Sequence, residues 1–130
     1  MSRSATAGEL LVLIVDDNAQ NLKLARDVLG AAGLRTLEAA TGAEAVTLAR
    51  EHLPDAVLLD LVLPDLAGTE VVRQLRDDPR TGRIPVVALS ATAVDPEEEW
   101  FCAAGFAGYL AKPFDVEALP RQVEGFCGAD

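Results

Sequence analysis

Short apolar runs that stop abruptly at polar residues set the strongest limit on how this chain can fold. The first is LLVLIV, Leu10 to Val15, which ends at Asp16. It is too short for a helix, it is rich in Val, Ile and Leu, and it reads as a strand buried on both faces. AVLLD (Ala56–Asp60), VVALS (Val86–Ser90) and AGYLA (Ala107–Ala111) repeat the theme, and LRTLEA from Leu34 is a more mixed version. Between these runs the apolar residues take helical spacing. Asn18 can cap a first helix that carries Leu22, Ala25 and Leu29 and ends at Gly33. Gly42–His52 supplies Ala45, Val46 and Leu48 before Pro54 interrupts, and Thr69–Asp78 supplies Val71, Val72 and Leu75. Asp95 and Pro96 predict the start of a fourth helix, with Glu97 to Glu99 in its first turn and an end near Gly105. Asp115 predicts the cap of a fifth, VEALPRQVEGF, in which Pro120 bends the helix or shifts its start. Five strands alternating with five helices predict an α/β fold with a parallel sheet covered on both faces. The ligand site of such a fold lies beyond the carboxyl ends of the strands.

The chain has 130 residues, a length that suits one domain with one substantial core. Its net charge of -10 argues against a nucleic-acid binder and against attraction to an anionic membrane. The opening MSRSATAGE does not read as a secretion signal, and LLVLIV is far too short to span a bilayer. Cys102 and Cys127 lie far apart, with no adjacent His or third Cys to suggest a metal site. Reduced thiols in the cytoplasm are expected. Residues 1–9 read as a flexible segment, 10–127 as the domain and 128–130 as a short tail.

The chemistry sits at the ends of the apolar runs. Asp16 and Asp17 follow the first, Asp60 ends the third, Ser90 ends the fourth and Lys112 follows the fifth. In a parallel sheet these ends share one rim. Three carboxylates repel one another unless a cation joins them, and a hard cation such as Mg²⁺ suits oxygen ligands. Lys112 can pair with Asp60 and then with a phosphoryl oxygen, and Ser90 can donate a hydrogen bond to another. Asp60 is the natural nucleophile, because carboxylates form aspartyl phosphates. Taken singly, each residue has an ordinary explanation: a loop aspartate as a cap or solvated charge, a serine as a turn residue, a lysine before proline as surface decoration. Their joint placement on four strand ends favours the chemical reading. His52, the only histidine, sits at a helix end where interaction with the last carbonyls explains it. Trp100, Phe101 and Phe106 read as packing rather than as a cofactor box.

The segments LIVDDN (Leu13–Asn18), LLDLVLPDLAG (Leu58–Gly68), PVVALSA (Pro85–Ala91) and YLAKPF (Tyr109–Phe114), in this order, resemble the receiver domains of bacterial two-component and phosphorelay response regulators. The resemblance runs from Leu10 to Phe126 and is closest in flavour to single-domain receivers of phosphorelays and to the receivers attached to hybrid kinases. It implies a flavodoxin-like (βα)5 three-layer sandwich with strand order 2-1-3-4-5. It implies Asp60 as phosphoacceptor, Asp17 as direct Mg²⁺ ligand, Asp16 as an acid holding the metal through water, and the Val62 carbonyl as a further ligand, with Mn²⁺ able to substitute. Lys112 matches the family's lysine, before a cis bond to Pro113. Ser90 matches the switch hydroxyl, Tyr109 the switch aromatic, and Ala91 the small residue beside the phosphoryl oxygens. Val62 and Thr92 match positions that tune self-dephosphorylation. Val62 cannot orient a water, so slow hydrolysis is expected.

The implied donor is a histidine kinase or a histidine phosphotransfer protein, met through the first helix around Asn18, Gln20, Asn21 and Leu22, where Leu22 or Leu24 is exposed for contact. The implied output is a downstream protein or a homodimer, met through the face of the fourth helix, fifth strand and fifth helix, with Trp100 a candidate anchor and Arg121 a candidate pairing residue. Such a domain catalyses its own phosphorylation and dephosphorylation without being a conventional enzyme. The alternatives are a fragment of a larger regulator or hybrid histidine kinase, and a pseudo-receiver that binds partners without phosphotransfer. An aspartate-nucleophile hydrolase fits less well, because Val62 stands where its second carboxylate belongs. A nucleotide- or flavin-binding module fits less well because DDNAQN lacks phosphate-loop glycines.

Overall fold

A computed structural model describes residues 10–91, 95, 97–112 and 114–127. The expectations for segments 1–9 and 128–130, for Thr92 and for the Pro113 bond lie outside the described residues. Ten elements alternate along the chain. They are β1 (Leu11–Val15), α1 (Ala19–Ala31), β2 (Arg35–Ala39), α2 (Gly42–His52), β3 (Ala56–Asp60), α3 (Gly68–Asp77), β4 (Val86–Ser90), α4 (Glu99–Ala104), β5 (Gly108–Ala111) and α5 (Leu119–Cys127). The five strands pair in parallel in the order β2-β1-β3-β4-β5, as the family resemblance implied.

The two-residue period of a strand distributes the core to both sheet faces. Val12 and Ile14 of β1 join Leu58, Val87 and Leu89 on one side, under Ala25 and Leu29 of α1 and Leu119 and Val123 of α5. Leu13 and Val15 join Val57, Leu59 and Val86 on the other, under Ala45, Val46 and Ala49 of α2 and Val71, Val72 and Leu75 of α3. A small third cluster places Phe101 of α4 on Ala88 of β4. Gly33, with φ of 92°, takes the left-handed turn that ends α1, and its amide donates to the Gly30 carbonyl.

Two helix starts differ from expectation. Asp95 does not open α4. Its carboxylate accepts the Glu97 amide at 2.9 Å and its carbonyl accepts that of Glu98, so it closes a turn on itself and the helix begins only at Glu99. Asp115 likewise accepts the Glu117 and Ala118 amides in a turn, and α5 begins at Leu119. Pro120 then falls in the first helical turn, where its missing N–H costs nothing. Its effect is to shift the start rather than to bend the helix.

The N-terminus of α2 is capped from a distance. Thr41 accepts the Glu44 amide at 3.1 Å, while the two oxygens of Asp65, in the β3–α3 loop, accept the Gly42 and Ala43 amides at 2.8 and 3.0 Å. Leu66 packs so closely on Gly42 that a Cβ there would lie 2.9 Å from the Leu66 Cβ. The Gly42 amide above all, then the Ala43 amide, holds the Asp65 carboxyl below its ordinary pKa. A carboxyl with a depressed folded pKa stabilises above its unfolded pKa, and the contribution fades as pH falls through the folded value. Asp65→Asn is therefore expected to lower stability at neutral pH, with the gap to the wild type closing in acid. Urea unfolding of both chains across the carboxylate range tests this, and a gap independent of pH would refute it.

Candidate functional site

The strand register brings the polar ends level. Val15 pairs with Leu59, Asp60 with Leu89, and Ser90 with Ala111, so Asp16, Asp60, Ser90 and Lys112 line one rim. The Lys112 amide donates to the Ser90 carbonyl at 2.9 Å, which fixes where the lysine leaves β5. Its Nζ bridges two carboxylates, donating to Asp16 Oδ2 at 3.0 Å and to Asp60 Oδ2 at 2.9 Å. Asp16 is 1% exposed and Asp60 7% exposed, while Asp17 is exposed to solvent. Candidate ligand oxygens of Asp16, Asp17 and Asp60 lie within 4.8 Å of one another.

Each buried acid has further donors. Asp16 Oδ1 accepts the Asn18 amide at 2.9 Å, and Oδ2 also accepts Asn21 Nδ2 at 3.1 Å. Asp60 Oδ1 accepts the Val62 amide at 2.9 Å. None of these bonds uses the Asp17 carboxylate. Burial is the largest single influence on Lys112 and pulls its pKa down. The bonds to Asp60 and Asp16 together outweigh it and leave the ammonium above its ordinary value. Three carboxylates thus face one ammonium, and the donor set is all oxygen. That set fits a hard divalent cation such as Mg²⁺, which the carboxylates of Asp16, Asp17 and Asp60 could hold.

The sequence-predicted residues are not all in contact. Asp16, Asp17, Asp60 and Lys112 come together as expected. Ser90 is half-buried at the end of β4. Tyr109 of β5 lies two strands from Asp60 of β3, half-buried against the cluster of Ala88 and Phe101. The Val62 side chain is 78% exposed at the start of the loop that follows Asp60. Of the two leucines on α1, Leu24 is the exposed one, and Leu22 packs against the core. His52 is exposed, Trp100 is 43% exposed with Nε1 donating to Glu98 at 2.9 Å, and Phe101 is core. Cys102 is exposed and Cys127 is buried. Among the described residues, no helix is long and apolar enough to cross a membrane. Sequence reading placed Asn21 on the donor-facing helix but did not connect it to Asp16. The signal was its place in α1, three residues after the cap Asn18, on the turn nearest the acids.

A doubly wound α/β domain with an acidic, lysine-bridged rim at its strand ends belongs to a narrow class, and comparison with known proteins places it. The family model described as response regulator receiver domain matches residues 12–124, and the chain belongs to that family. Among curated relatives, the polar-differentiation response regulator DivK of Brucella ovis is 40% identical over 117 residues, covering 90% of this chain and 95% of that protein. Among solved structures, the chemotaxis response regulator CheY4 of Vibrio cholerae superposes with a TM-score of 0.83 at 30% identity, over 90% of this chain and 98% of that one. The receiver domain of sensor histidine kinase PA1611 from Pseudomonas aeruginosa, described with a magnesium ion coordinated in its active-site cleft, gives 0.83 at 34% identity, over 92% and 98%.

Proposed function

We propose that this chain is a phosphoacceptor that takes a phosphoryl group from a phosphohistidine onto Asp60 and signals by protein contact. The observation that carries this reading is the Lys112 ammonium shared between Asp16 and Asp60 beside the exposed Asp17. An Asp60 oxygen attacks phosphorus, a P–O bond forms, the P–N bond breaks, and its electron pair returns to the donor imidazole. Lys112, already within reach of Asp60, turns to an equatorial phosphoryl oxygen, and Ser90 donates to another. Asp17 and Asp60, with the Val62 carbonyl, would hold Mg²⁺. When bound, the ion neutralises charge on the transferring group. Ser90 and Tyr109 then shift together and alter the surface of α4, β5 and α5. That surface carries the exposed Trp100 and the acids Glu97 to Glu99, and a downstream protein or a second copy reads it.

Incubation with a phosphohistidine-loaded phosphotransfer protein tests the donor class. Loss of donor label with matching gain on Asp60 supports it, and label that stays on the donor contradicts it. The exposed, apolar Val62 implies a long-lived acyl phosphate. Val62→Asn, which can orient a water, is expected to shorten that lifetime several-fold, and an unchanged lifetime would remove the role given to this side chain.

A further inference from the structure

We infer that Asn21 is a positioning residue that keeps the Lys112 ammonium shared between Asp16 and Asp60. This rests on the reading of Asp60 as phosphoacceptor. Four hydrogen bonds connect the surface of α1 to that residue, two converging on Asp16 and two made by Lys112. Asn18 N–H and Asn21 Nδ2 donate to Asp16, and Lys112 Nζ donates to Asp16 and to Asp60.

The local sequence explains why Asn21 is available. Asn18 caps α1 by accepting the Gln20 and Asn21 amides, and Asn21 is the third residue of the helix. A polar side chain at that position commonly reaches back to the amide of the cap residue. Here the Asn18 amide already donates to Asp16 Oδ1, so the Asn21 side chain is released to the same carboxylate.

Asp16, at 1% exposure, has little water to satisfy it, and its orientation is set by the donors around it. Oδ2 accepts Asn21 and Lys112 together, which matches its two lone pairs. Without Asn21 the carboxylate is free to turn fully toward the Lys112 ammonium, and Lys112 is drawn away from Asp60. A lysine or arginine at position 21 would also satisfy Asp16, but it would cancel the negative charge that a metal ion needs. A neutral amide donates and leaves that charge in place.

The test uses the full chain and two variants. Asn21→Ala removes the donor at a half-buried helix position where alanine suits the backbone. Asn21→Asp keeps size and shape, and an acid in the first turn suits the helix dipole. The first readout is the metal-free crystal structure of Asn21→Ala. The expected result is a Lys112–Asp60 separation beyond about 3.5 Å, outside hydrogen-bond range. The second readout is phosphoryl uptake from acetyl phosphate at saturating Mg²⁺, expected to fall about tenfold in Asn21→Ala, the lower end for loss of a supporting bond. Asn21→Asp, which sets a further carboxylate beside Asp16, is expected to lose more. A lysine that still bridges both acids in Asn21→Ala overturns the proposal, as does an unchanged uptake rate in that variant. Impairment of Asn21→Asp alone also overturns it, because the added charge would then be the cause. A wild type that takes up no phosphoryl group refutes the phosphoacceptor reading instead, while the lysine geometry still decides the positioning claim.

Discussion

Replacing Lys112 by methionine is expected to cost the metal-free chain roughly 3 kcal/mol of stability, and to slow phosphoryl uptake by about a hundredfold or more. The ammonium lies 3.0 Å from Asp16 Oδ2 and 2.9 Å from Asp60 Oδ2, and Asp16 is 1% exposed. Breaking a fully buried pair by removing one partner costs about 3–5 kcal/mol. The Lys112 and Asp60 side chains keep some contact with solvent, which places this site at the lower end. Methionine retains the apolar stem, so the loss is electrostatic rather than a packing defect. Lysine has a folded pKa raised above its ordinary value by the two carboxylates. Its contribution is therefore full below the unfolded lysine pKa and is lost only as pH rises through the folded value. The gap between wild type and variant should persist through neutral pH and close in alkali. Added Mg²⁺ should narrow it, because acids without the competing ammonium bind the ion more tightly and tighter binding to the folded state stabilises it more. Urea unfolding with and without Mg²⁺ measures both effects. A variant as stable as the wild type in metal-free buffer would contradict this account of the cluster.

Asp17→Asn should separate stability from metal binding. Asp17 is exposed, and none of the bonds that order Asp16 and Asp60 uses its carboxylate. Its replacement is expected to change metal-free stability by no more than about 0.5 kcal/mol, as at other exposed positions. Its oxygen is nevertheless one of the three within 4.8 Å of one another, and it belongs to the most exposed of the three acids. Loss of supporting bonds around a metal costs about 10–100-fold in affinity, so loss of a charged ligand itself should reach at least about a hundredfold. Mn²⁺ titration followed by electron paramagnetic resonance reads this directly. Unchanged affinity would remove Asp17 from the metal site. Asp16→Asn should lower metal-free stability, because an amide at a position surrounded by three donors leaves one of them facing another N–H.

The architecture was legible because its signals are local. An apolar run such as Ala56–Asp60 has one physical solution in an α/β chain, and β3 matches it residue for residue. Asp16, Asp60, Ser90 and Lys112 were legible for a related reason: parallel pairing turns positions in sequence into positions on a rim. What stayed hidden depends on side chains that choose among local partners. Asp95 and Asp115 each look like a helix cap, yet each satisfies a turn before the helix, because its carboxylate bonds the amide two residues on. Asp65 looks like an ordinary loop acid. Its capping of α2 crosses 22 and 23 residues of sequence, and no local pattern encodes that. Asn21 was visible as a polar residue on α1, but its direction depends on the Asn18 amide being taken already. The choice between Leu22 and Leu24 is settled by packing, which covers Leu22 beside Ala25 and Leu29 and leaves Leu24 exposed.

Phosphoryl uptake by Asp60 is read most simply by intact-mass measurement after incubation with acetyl phosphate, with and without Mg²⁺, on the wild type and on Asp60→Asn. The expected result is a gain of one phosphoryl group that requires both Mg²⁺ and Asp60. No gain in the wild type, under conditions that label another receiver, would contradict it and leave a chain with the receiver fold that works by binding alone.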